Sequence, residues 1–161
     1  MQFNDKHSFD KPAATVLKMF SDKAYFERKY KELGYTGIEV LEHSNDGRKF
    51  RIKVRYSAKN DAPLPEFAKK FMADSNVVTQ SDTWDLEKKT GRLEADIRGV
   101  PVKVFADMTL KDEGTGSANF LKWNLDCGIP FIGGKLEQVI GDDIKNKAKT
   151  DIAKSREILN S

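Results

Sequence analysis

The segment Gly128-Ile129-Pro130-Phe131-Ile132-Gly133-Gly134-Lys135-Leu136-Glu137 divides this chain into two unlike parts. Most of the chain before it alternates apolar and polar residues, the pattern of half-buried strands. The remainder is one amphipathic helix running almost to the C-terminus. In that helix Leu136, Val139, Ile140, Ile144, Ala148 and Ile152 form one stripe, while Lys145, Lys149, Lys154 and Arg156 lie mostly away from it and suit the C-terminal end of the helix dipole. A long helix after a run of antiparallel strands buries such a stripe most economically by lying across the concave face of a curved sheet. That arrangement usually encloses a cavity. Pro130 and Gly133-Gly134 are expected to form the hinge that swings the helix over, the glycines letting the chain turn tightly and pack the helix start against the sheet. Gly141 costs roughly 1 kcal/mol relative to Ala inside a helix and is expected to mark a bend or a close contact.

Earlier in the chain, residues 2–9 alternate, with Phe3, Asp5, His7 and Phe9 sharing a face. Asp10 is placed to cap a short helix that begins near Pro12 and carries Ala13, Val16, Leu17 and Phe20. Ser21 or Asp22 caps a second helix with Tyr25, Phe26 and Tyr30, which Leu33-Gly34 ends. From residue 37 the period becomes two, and Ser44-Asn45-Asp46-Gly47 turns a hairpin whose return strand carries Phe50, Ile52, Val54 and Tyr56. Residues 63–72 have helical spacing and predict a short helix or lid over one end of the sheet. Turn signals at 87–91, 98–101 and 112–116 divide the remainder into about four strands of an antiparallel meander. One face then holds Trp84, Leu93, Ala95, Val104, Met108, Leu121 and Trp123, and the other is charged.

Composition narrows the class further. The chain has 161 residues and 18.2 kDa, which fits one domain, 1–161, with a core that needs no disulfide or metal. Lys and Arg are interspersed with Asp and Glu and the net charge is only +3, a poor basis for binding a polyanion. Lys49, Arg51, Lys53 and Arg55 read as the solvated face of a strand rather than a nucleic-acid surface, so no nucleic-acid partner is expected. Cys127 is the only cysteine, and His7 and His43, the only histidines, have no second ligand at useful spacing. No metal or cofactor is expected. The N-terminal residues form no apolar signal core and no apolar run is long enough to span a bilayer, so a cytoplasmic location without integral membrane association is expected. Gly133-Gly134-Lys135 at a helix start has the look of a phosphate loop, but Ile129 stands where its first Gly belongs and Leu136 where its Ser or Thr belongs.

The order of one strand, two short helices, a six-strand meander and one long helix resembles the START-like superfamily, also called the helix-grip or polyketide cyclase and lipid transport (SRPBCC) superfamily. Phe9-x-x-Pro12, Val16-x-x-Met19-Phe20-x-Asp22, Ala24-Tyr25, Leu64-Pro65, Trp84 and the segment Ile129–Glu137 are similar to a bacterial branch that brings no agreed catalytic residues. The resemblance implies an α+β fold: a curved antiparallel sheet of about seven strands with the C-terminal helix across its concave face. It also implies an apolar ligand cavity, since superfamily members carry lipids, sterols or hormones, cyclise polyketides, or bind partner proteins.

The candidate ligand-contacting residues are Phe67, Phe71, Met72, Gln80, Asp82, Trp84, Met108 and Trp123, with Leu136, Ile140 and Ile144 from the helix. The same aromatic and aliphatic residues would equally fill a solid core. Gln80 and Asp82 share the parity of Trp84 and point inward unless a bulge or the open sheet end lets them meet water. An inward Asp82 is either a ligand handle or, with Asp5 or His7, an acid or base. Three functions are compatible with this pattern: carriage of a small lipid-like or polycyclic molecule, a cyclase or dehydratase acting in the same cavity, or a ligand-free module that binds a protein partner. Two convergent titratable groups in the cavity favour the enzyme, and a filled interior favours the module.

Overall fold

A computed structural model describes residues 1–161. The chain runs β1 (Gln2–Phe9), α1 (Ala13–Phe20), α2 (Lys23–Glu32), β2 (Thr36–Asn45), β3 (Lys49–Lys59), β4 (Ser75–Asp85), β5 (Thr90–Ile97), β6 (Val102–Glu113), β7 (Gly116–Cys127) and α3 (Gly133–Leu159). The strands make one antiparallel sheet in the order β1-β7-β6-β5-β4-β3-β2. α1 and α2 carry the chain from β1 to the opposite edge, and the meander returns until β7 pairs with β1. This is the expected α+β helix-grip architecture. No helix is long and apolar enough to cross a membrane.

Alternation sorts the side chains onto the two faces. Ile52, Val54, Trp84, Val104, Ala106, Met108, Leu121 and Leu125 are buried on the concave face, while Glu94, Asp96, Lys103, Asp107 and Lys122 are exposed on the convex one. Ion pairs link the convex charges: Arg51 with Glu42, Arg55 with Glu39, and Arg92 with Asp107. Arg51 and Arg55, two of the five basic residues on the return strand, are thus neutralised by the neighbouring strand.

Three local expectations change. Asp10 does not cap α1; the Asp112 carboxylate at the end of β6 accepts the Ala13 amide at 2.8 Å, so the first helix is capped across the fold rather than by its own leader. Asp22 does cap α2 through the Ala24 amide, and at the other end Gly34 follows the C-cap Leu33 with the positive φ its position requires.

Residues 63–72 do not form a helix. Pro63 and Pro65 hold their predecessors extended, which leaves only Glu66–Met72, too few for a helix without support. A 3-10 turn at Ala68–Lys70 is all that forms. Backbone pairing of Asn60 with Asp74 closes the loop at its base.

The hinge before α3 is also built differently. The left-handed residue is Phe131, at φ 68°, fully exposed, and not either glycine. Gly133 packs the helix start against the end of β7, as expected: a Cβ there would lie 2.5 Å from the Cys127 carbonyl oxygen. Gly141 marks a close contact, as expected, since a Cβ there would lie 2.8 Å from the Met1 sulfur.

Candidate functional site

α3 touches the sheet along β7 and touches α2 on the other side. Its first turns pack tightly, with Leu136 and Ile140 fully buried, but Ile144, Ala148 and Ile152 hang over the concave middle of the sheet. A helix that meets the flanks of a curved surface leaves a gap beneath. The gap is a cavity of about 190 Å³ in which 22 of the 33 lining residues are hydrophobic. Its walls are the sheet, including His7 and Phe9 of β1, with Phe20 of α1, α2 and the part of α3 from Ile140 to Ser155.

Of the ligand-contacting candidates, the structure brings Met72, Gln80, Asp82, Trp84, Met108, Trp123, Ile140 and Ile144 to this cavity. Phe67, Phe71 and Leu136 do not line it. Phe67 and Phe71 pack against the core from the 60–74 loop because the expected helix is absent, and Leu136 is consumed in the helix-sheet contact. His7 lines the cavity. Asp5 does not, but its carboxylate holds His7 Nε2 at 2.9 Å.

Asp82 is inward and buried. β4 pairs with both neighbours without a bulge, placing Asp82 opposite Ile52 on β3 and Leu93 on β5, so the reading in which it meets bulk water does not hold. Tyr56 Oη donates to Gln80 Oε1 at 2.8 Å, and Gln80 Nε2 donates to Asp82 Oδ1 at 2.9 Å. No protein donor reaches Asp82 Oδ2. Burial pushes this carboxyl up to about 6, against the lowering influence of Lys29 and of the Gln80 hydrogen bond.

Several polar residues at the site escaped the sequence reading. Lys29 is buried, with its ammonium 3.2 Å from Asp151 and within 5.5 Å of the ring centres of Tyr25, Phe26 and Tyr30. Burial pulls its pKa down, but Asp151, with lesser help from Tyr25 and Asp82, outweighs that and holds the amine protonated above its ordinary range. Tyr25 Oη and Ser155 Oγ are 2.7 Å apart. Burial raises Tyr30 and Tyr56 well above the usual phenol value, the Asp82 carboxylate adding most to Tyr30 and the neighbouring Tyr35 to Tyr56; both stay neutral. Tyr30 Oη, Asn119 Oδ1 and Trp123 Nε1 are buried without a partner in the protein.

Signals for two of these residues exist in the sequence. Lys29 falls four residues after Tyr25 and three after Phe26, on the buried face of α2. Asn119 shares the parity of Leu121 and Trp123.

The chain is similar in structure to several solved proteins. TTHA0849 from Thermus thermophilus matches with a TM-score of 0.67 at 16% identity, over 99% of this chain and 97% of that one. The Zhui aromatase/cyclase from Streptomyces sp. R1128 matches with a TM-score of 0.67 at 9% identity, over 99% and 93%. A START superfamily protein from Mycobacterium smegmatis matches with a TM-score of 0.57 at 13% identity, over 98% of each chain. At these identities the likeness is one of fold. Comparison with curated protein sequences gave no match. The sequence matches the family described as protein of unknown function (DUF2505) over residues 5–157, nearly its whole length; the chain belongs to that family, and its fold is START-like.

Proposed function

We propose that this protein binds a small, mainly apolar molecule between its sheet and α3. The observation that carries this reading is the cavity itself: about 190 Å³, mostly hydrophobic, in a fold shared with an aromatase/cyclase and a START superfamily protein. An apolar cavity of about 150 Å³ is enough to take up one benzene ring, so the space suits a molecule of one or two rings or a short branched chain. Burial supplies the drive, at roughly 25 cal/mol per Å² of apolar surface. A module that worked only through its outer face would have no use for this space.

A second reading, acid-base chemistry on the bound molecule of the cyclase or dehydratase kind, is favoured by two specific features. Asp82 is a buried carboxyl raised toward neutrality, and His7, oriented by Asp5, lines the same cavity. Both readings require a ligand.

Native mass spectrometry of the protein as purified, with extraction and identification of any bound molecule, tests the first. A stoichiometric adduct of a few hundred daltons that leaves on mild activation is expected, together with a rise in Tm when a matching compound is added. Bare protein, with no thermal shift across a panel of lipids, monocyclic and bicyclic aromatics and polyketides, contradicts it.

A further inference from the structure

The charged residues that line the cavity do not balance. They are His7 from β1, Lys29 from α2, Asp82 from β4, and Asp143, Lys147 and Asp151 from α3. His7 is held by Asp5, Lys29 by Asp151, and Lys147 by Asp143. Only Asp82 has no oppositely charged partner within ion-pair distance. Its Oδ1 takes one neutral amide hydrogen, and its Oδ2 takes none from the protein.

Lys29 also lines the cavity and lowers the Asp82 carboxyl, but it is spoken for. Asp151 and the three aromatic rings around its ammonium fix it in place. A buried carboxylate left with one amide donor is an expensive arrangement for a protein that gains nothing from it. Tyr30, Tyr56 and Trp84 line the same cavity, so Asp82 faces a largely apolar, aromatic space with no second charge to meet it.

We propose that the ligand is an amphipathic cation: an apolar body of one or two rings bearing a protonated amine that pairs with Asp82. The inference rests on the cavity-binding reading above and adds the charge of the ligand and the residue that reads it. The ammonium supplies the donor that Oδ2 lacks and neutralises the one unbalanced lining charge, while the rings occupy the apolar space under Ile144 and Ala148.

Three probes of nearly equal shape test the proposal by calorimetric titration at pH 7.5: 2-(2-naphthyl)ethylamine, its apolar isostere 2-propylnaphthalene, and the anion 2-naphthylacetate. A charge-assisted hydrogen bond predicts that the amine binds about tenfold or more tighter than the isostere, with the anion weakest. In Asp82→Asn the amine loses about that factor, and the isostere stays within about twofold. In the wild type the advantage of the amine also fades as pH falls through about 6, and this dependence is absent from Asp82→Asn, which separates Asp82 from Lys29, Asp143, Lys147, Asp151 and His7. Equal or tighter binding of 2-propylnaphthalene or the anion by the wild-type protein overturns the cation proposal and leaves the cavity reading intact. Binding of none of the three overturns both. The ranking in wild-type protein needs no variant, so a folding defect in Asp82→Asn does not spoil the test.

Discussion

Asp82 shows how one inward position couples stability to function. Its ordinary carboxyl value is 3.8 and in the fold it is about 6. Between those values the folded chain holds a proton that the unfolded chain has released. The group's stabilising contribution is therefore complete below about pH 4 and is lost as pH rises through about 6. Asp82→Asn keeps an acceptor for Gln80 and removes the charge. We expect the variant to gain stability over wild type as pH rises, from near zero at pH 4 to at most about 3 kcal/mol at pH 7.5, by urea unfolding at several pH values. A difference that does not change with pH contradicts the buried-carboxylate account. The position was legible from parity with Trp84. Its isolation was not, because that depends on Lys29 and Asp151 finding each other from two helices distant in sequence.

Among the elements, the passage into α3 decides how the helix meets the sheet. Gly133 and Gly134 look equivalent in sequence and are not in space. A methyl group at Gly133 collides with the Cys127 carbonyl, whereas one at Gly134 meets nothing within 4 Å. Gly133→Ala is expected to cost about 1–3 kcal/mol as the strand and helix are forced apart, and Gly134→Ala to stabilise by about 0.5 kcal/mol through helix propensity. Opposite signs in paired thermal denaturations support this packing, and equal effects contradict it. Elements whose signal is local were legible: the hairpin at Ser44–Gly47, the Asp22 cap, and the stripe on α3. Where long-range partners decide, the sequence was silent, as in the capping of α1 by Asp112. The 63–72 segment misled because its apolar spacing outweighed the two prolines, and with the helix went the expected placement of Phe67 and Phe71.

At the scale of the molecule, the cavity arises from a mismatch of shapes. Seven strands curve, α3 stays helical over Gly133–Leu159, and the helix is supported by β7 at one flank and α2 at the other. Leu93, Ala95 and Val104 of the sheet line the space that remains beneath it. The strand, helix, helix, meander, helix order made this architecture readable in advance, since no other layer can bury the stripe on α3. Whether the enclosed volume would be solid or open was not readable, because it turns on side-chain volumes summed across strands and two helices.

The claim that this interior is a binding site is tested most directly by methyl and indole NMR during titration with 2-propylnaphthalene. Saturable shifts are expected at the Ala95, Ile140, Ile144 and Ala148 methyls and at the Trp84 and Trp123 indoles, with the convex face unmoved. Shifts confined to the convex face or to exposed Phe131, or none up to the solubility limit, would contradict it.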